Sequence, residues 1–212
     1  MMDAQLQDIS PELANELESV LTRDDADDLA ALVLLAKKGI CLDRLAKSQH
    51  RDVRQQVAKI CNNETSELLK SDTDAWIRYE LASRGFFLDT FVHDPDEWVR
   101  RSVALQGYCL ETLVNDDNEM VRAAVAIKGY GLDQLFNDSS INVRIEVSKV
   151  DNNVSHLNAL ATDFISDIRN TAKQRLPKAM ALEEMKALNS LINSKEATDQ
   201  PESSDALKNL GI

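Results

Sequence analysis

The stretch EMVRAAVAIKGYGLD fills Glu119–Asp133, and EWVRRSVALQGYCLE fills Glu97–Glu111, 22 residues earlier. With the Arg of each apolar-Arg pair as anchor, the register extends to Arg54, Arg78, Arg100, Arg122, Arg144 and Arg169, in steps of 24, 22, 22, 22 and 25. Val53, Ile77, Val99, Val121, Val143 and Ile168 precede these arginines, and Val57, Leu81, Val103, Val125, Val147 and Ala172 lie three after them. Nine before stand Leu45, Leu69, Phe91, Leu113, Leu135 and Leu160; six before stand Ser48, Asp72, Asp94, Asp116, Asp138 and Asp163. One more copy, LAALVLLAKKGICLD, aligns upstream with Leu32 in the Arg position. Seven copies with atypical ends are the pattern of a solenoid, in which each unit buries its apolar face only against its neighbours.

Each copy divides into two helices. The first is short, as in LETLVN (Leu110–Asn115), and the second is expected from about Asn118 to Lys128. Asp116 or Asp117 is expected to cap the second helix, since a carboxylate accepts the orphan amide hydrogens of a first turn. Gly129 closes it with a left-handed residue. The fold class expected is therefore all-α: an α-solenoid of about seven 22-residue two-helix repeats with helical caps. Composition agrees, because Leu, Ala, Glu, Lys and Arg dominate and there are only 6 Gly and 4 Pro.

Charge and motifs bound the function. The net charge is −12, but residues 1–28 carry −8 and residues 196–212 carry −3, which leaves −1 for residues 29–195. A near-neutral middle argues against a nucleic-acid binder. No apolar run approaches the roughly 20 residues of a membrane span. The N-terminus has no signal-peptide pattern, and an odd count of three cysteines (Cys41, Cys61 and Cys109) with no CxxC spacing suits a reducing, cytoplasmic setting. His50, His93 and His156 fall at three different positions of the repeat and do not converge on a metal or catalytic site. Cys41 and Cys109 share a column but lie three repeats apart, too far for a disulfide. No phosphate-binding loop, nucleophile elbow or zinc signature occurs, so no cofactor, metal or catalytic residue is assigned.

The pattern Asp-x₅-Arg-x-x-Val-Ala, ending in Gly-Tyr-Gly-Leu-Asp, resembles the short bacterial helical repeats related to HEAT repeats, including the leucine-rich repeat variant group. The resemblance covers roughly residues 20–176 and implies an α-solenoid with a binding role. It also implies an Asp–Arg ladder between repeats. Some members of that group carry an N-terminal iron–sulfur cluster on clustered cysteines, which this chain lacks. Some HEAT-like proteins are DNA glycosylases, which need a basic groove.

The Arg column itself reads as structural. At about 100° per residue, the apolar positions one before, three after and four after each Arg form one arc with the Arg inside it. A stem buried there needs a partner for its guanidinium. The Asp column offers one, within a repeat or across to the next. Trp76 and Trp98 share another column with Met120, pointing away from the core arc. Leu105, Ile127 and Tyr79 point the same way. These six are the candidate partner-binding residues, weighed against packing between layers.

The expected organisation is an acidic N-terminal capping segment (1–28), the repeat array (29–176), a C-terminal capping helix after Pro177 (177–195) and a disordered tail (196–212). The apolar spacing of Leu182, Met185, Leu188 and Ile192 would either cover the last repeat or join a second copy of the chain in a homodimer. The reading favoured is a non-catalytic protein-binding scaffold with another protein as partner. The alternatives are an acidic inhibitor of a nuclease, of the immunity or anti-defence kind, and a HEAT-like nucleic-acid-processing enzyme.

Overall fold

The computed structural model describes residues 10–198; residues 1–9 and 199–212, most of the expected tail, lie outside them. Every regular element among the described residues is a helix, and the fold is an all-α solenoid. The chain forms two units, residues 1–135 and 136–212. The first holds α1 (Pro11–Arg23), α2 (Leu29–Lys38), α3 (Leu42–Leu45), α4 (Arg51–Ile60), α5 (Asn63–Leu69) and α6 (Ala75–Ser83). It continues with α7 (Leu88–Phe91), α8 (Glu97–Leu105), α9 (Leu110–Leu113), α10 (Glu119–Ile127) and α11 (Leu132–Leu135). The second holds α12 (Ile141–Val150), α13 (Val154–Leu160) and α14 (Ser166–Thr198).

In the first unit the longer helices stack in sequence, α2 on α4, α4 on α6, α6 on α8 and α8 on α10, with the short helices between. The repeat columns build the core. Val53, Val57, Ile77, Leu81, Val99, Val103, Val121 and Val125 are fully buried, under Leu45, Leu69, Phe91 and Leu113 from the short helices. Four after each Arg, the small Ala58, Ala82, Ala104 and Ala126 are also fully buried; a methyl there lets successive helices approach closely. In the second unit Val143, Val147, Leu157 and Ile168 form the core, where α12 and α13 meet α14.

The irregular steps of 24 and 25 have a structural cause. The two intervals that exceed 22 contain the seven-residue helices α5 and α13, whereas the 22-residue intervals contain four-residue helices. The two kinds of copy also end differently. α6, α8 and α10 are followed by Gly85, Gly107 and Gly129 at φ 84°, 79° and 73°. α4 and α12 lack a glycine; their C-caps Cys61 and Asp151 have φ −54° and −67°. A guanidinium from the next copy takes over. Arg84 donates to the carbonyls of Ala58 and Cys61 at 2.5 and 2.7 Å. Arg175 donates to those of Val150 and Asp151 at 3.2 and 3.0 Å, and to Asn152 Oδ1 at 2.8 Å. Last-turn carbonyls need donors from outside the helix, so these five helix ends use either a left-handed glycine or a borrowed arginine.

Capping of the second helices differs from the sequence expectation by one turn position. Asn118, not Asp116 or Asp117, caps α10 by accepting from the Met120 amide at 2.8 Å. Asp116 sits two residues earlier and accepts from the Asn118 amide at 2.9 Å. The residue that caps must directly precede the first helical residue, so Asp116 is left to close the turn and to serve the ladder described below. Pro177 lies inside α14 rather than at its start. Ala179 is buried, while the side chains of residues 183–194 stand exposed.

Candidate binding surface

The repeated charges are consumed internally. Arg54 meets Asp72 through two N–H groups at 2.7 and 3.2 Å, Arg78 meets Asp94 at 2.7 and 2.9 Å, and Arg100 meets Asp116 at 2.7 and 2.9 Å. In the second unit Arg144 Nε lies 2.7 Å from Asp163. Each pair joins one copy to the next, which is the ladder that the resemblance implied. The arginine side chains are only 10–18% exposed and the aspartates 5–8%. The remaining guanidinium hydrogens go to the copy's own turn, as in Arg100 to the Asp94 carbonyl and Arg122 to the Asp116 carbonyl, at 2.8 and 2.7 Å. Hydrogen bonding to the carboxylates raises the arginine pKa values of Arg54, Arg78 and Arg100. Burial pushes the Asp116 carboxyl up, but the Arg100 hydrogen bond, the Asn118 amide and the charges of Arg100 and Arg122 outweigh it and hold the group below its ordinary value. The column therefore ties repeats together.

The outward columns differ in kind. Trp76 and Trp98 are 50% and 44% exposed. Tyr79, one turn along α6, stands edge-on to Trp76 with ring centroids 4.8 Å apart at 79°. Between α6 and α8 these three rings line a groove of about 380 Å3 together with Asp74, Ala75 and Asp96. Asp74 and Asp96 are the N-caps of the two helices, accepting from the amides of Trp76 and Trp98 at 2.8 and 2.9 Å. The Arg101 guanidinium lies 5.6 Å from the Trp98 ring centre. The same two columns line a second groove of about 510 Å3 between α2 and α4, where Ala30 and Asp52 replace the tryptophans and Val33 and Gln55 replace Tyr79.

Of the six residues singled out in sequence, the structure brings Trp76, Tyr79 and Trp98 into one groove. Leu105, Met120 and Ile127 are not part of its lining. Ile127 is 41% exposed, and Leu105 and Met120 are half-buried. Asp74, Ala75 and Asp96 went unnoticed in sequence because they read as an ordinary cap and its neighbour. Their signal was the pair of columns three and four before each Arg. No disulfide joins Cys41, Cys61 or Cys109. Burial pushes the Cys61 thiol up, with Arg84 opposing from 3.1 Å. His156 accepts no outward role in this frame, its Nδ1 lying 2.8 Å from Asp151 and its ring stacked on Phe136 at 4.3 Å.

A solved structure described as a leucine-rich repeat variant with a novel repetitive protein structural motif superposes with a TM-score of 0.59 and 26% identity, covering 72% of this chain and 67% of that one. No family model matches the chain, and no curated protein does. The likeness supports a repetitive helical protein. No helix among the described residues is long and apolar enough to cross a membrane.

Proposed function

We propose that this protein is a non-catalytic binding scaffold that holds another protein on the outward face of its second helices, with Trp76, Tyr79 and Trp98 at the centre. The observation that carries this reading is the pair of half-exposed tryptophans on consecutive layers. Burying such rings inside the stack would have removed more apolar surface from water, yet the fold leaves them out. Large aromatic side chains around a groove are the usual anchors of protein interfaces. Met120, Leu105 and Ile127 extend the same outward face along α8 and α10. An acidic inhibitor of a basic protein would be one form of this activity.

The test is affinity capture from the native host with wild-type protein, the Trp98→Ala variant and a control altered elsewhere on the surface. A partner held by wild type and control but lost by Trp98→Ala, with unchanged thermal melting, supports the reading. Retention by all three removes it.

A second surface supports self-association. On α14, Met185, Leu188, Leu191 and Ile192 are 57%, 58%, 59% and 45% exposed, along one helix. Pairing with the same helix of a second copy would bury roughly 100 Å2 per side chain at about 25 cal/mol per Å2.

A further inference from the structure

In α4 the residue three before the anchor is Arg51. It crosses to the next copy and pairs with Asp74, the N-cap of α6. Asp74 thus has an amide at one oxygen and a guanidinium at the other. One copy further on, the residue three before the anchor is Ala75, and the N-cap of α8 is Asp96. Asp96 accepts from the amides of Trp98 and Val99 at 2.9 and 3.4 Å through Oδ1. Alanine supplies no cation to its other oxygen. The space that an arginine would occupy at position 75 is the groove between α6 and α8, and its walls are Trp76, Tyr79 and Trp98.

From this we infer that the groove receives a guanidinium from outside: an arginine side chain of the partner protein, seated against Asp96 and the tryptophan rings. This rests on the protein-binding reading and names the chemistry of the guest. A planar guanidinium can give N–H groups to a carboxylate while stacking on an aromatic face. The chain already shows both halves of that contact in its own arginines. Arg51 makes the carboxylate pairing with Asp74, and Arg101 lies over the Trp98 ring. Charge favours such a guest as well, since the groove carries two carboxylates: Asp74, paired by Arg51 and within the field of Arg54, and Asp96, which lies in the field of Arg78 but receives no arginine from position 75. A lysine fits less well, because an ammonium cannot satisfy the carboxylate in a bidentate manner and stack at the same time.

The experiment uses the full chain and three short peptides that differ at one position: arginine, lysine or citrulline in an otherwise neutral sequence. Tryptophan emission reads the groove directly, because the chain has only 2 Trp and both line it. The arginine peptide is expected to give a saturable emission change, the citrulline peptide at least a tenfold weaker one, and the lysine peptide an intermediate one. Asp96→Asn removes the charge and keeps the cap, as Asn118 does one copy on; it should weaken arginine binding about tenfold with no change in melting. Ala75→Arg places in the groove the cation that α4 carries at the same position, Arg51, and should abolish it. Equal responses to arginine and citrulline, or an Asp96→Asn variant that binds arginine as wild type does, would overturn the inference. If Asp96→Asn still captures the host partner while Trp98→Ala does not, the binding face stands and the arginine guest falls. If neither variant affects capture but the arginine peptide still binds, the groove chemistry stands and its role in that partnership falls.

Discussion

Removing Arg100 tests the ladder where its geometry is most complete. In Arg100→Ala, Asp116 loses two N–H groups at 2.7 and 2.9 Å, and the carbonyls of Asp94 and Pro95 lose donors at 2.8 and 3.1 Å. The Asp116 side chain is 8% exposed, so water replaces the lost partner poorly. Stranding one member of a buried pair costs about 3–5 kcal/mol. Asp116 keeps the Asn118 amide and the field of Arg122, which places the expected loss near the low end, about 3 kcal/mol. For a chain of this size that is a fall in Tm of roughly 6–12 °C. The matching control is Arg101→Ala, one residue along, whose guanidinium only overlies the Trp98 ring; it should shift stability by about 1 kcal/mol or less. Urea melts of both variants decide. An Arg100→Ala midpoint indistinguishable from that of Arg101→Ala would refute the view that the column holds the layers together.

Acid should unfold the protein through the same groups. Asp116 and Asp163 have folded pKa values held below the ordinary one, so their contribution is fully present above about pH 4 and is lost as pH falls through the depressed values; a stability-against-pH curve flat between pH 5 and 2 would contradict this. Arg84→Ala should cost about 2 kcal/mol by exposing the glycine-free end of α4, whereas Gln106→Ala, which removes a donor at 2.6 Å from the Ser83 carbonyl at the glycine-ended α6, should cost under about 1 kcal/mol, both read by denaturant midpoint. Gly131→Ala should destabilise by roughly 1–3 kcal/mol, because φ is +63° and the new Cβ would lie 2.5 Å from Val114 Cγ2; unchanged melting would show that Val114 gives way. Sedimentation should detect a dimer that Leu188→Lys abolishes, and a concentration-independent monomer would remove the proposed α14 contact.

The fold was legible because a solenoid writes its core as columns. Val99, Val103 and Leu113 occupy places that Val121, Val125 and Leu135 occupy one copy on, and all six are buried. The Arg and Asp columns were legible for the same reason, since an arginine inside an apolar arc requires a carboxylate. The exposed sense of Trp76 and Trp98 was visible on a helical wheel, but a wheel cannot show which neighbouring element covers a face. The groove depends on a contrast between two neighbouring copies, arginine at position 51 and alanine at position 75, and an alanine draws no notice until the Arg51–Asp74 contact gives it meaning. The length of α14 was hidden by Pro177, which reads as a stop in sequence. Pro177 stands exposed inside α14 and removes one backbone donor from it.

The central claim is that the α6–α8 face is the place of contact, and iodide quenching of the two tryptophans tests it most directly. In the isolated protein both rings stand about half exposed, at 50% and 44%, so emission should be red-shifted and readily quenched. In the complex with the captured partner the quenching constant should fall severalfold and the emission should move to the blue. Quenching that is the same in the free and the bound protein would place the partner on another face and contradict the account.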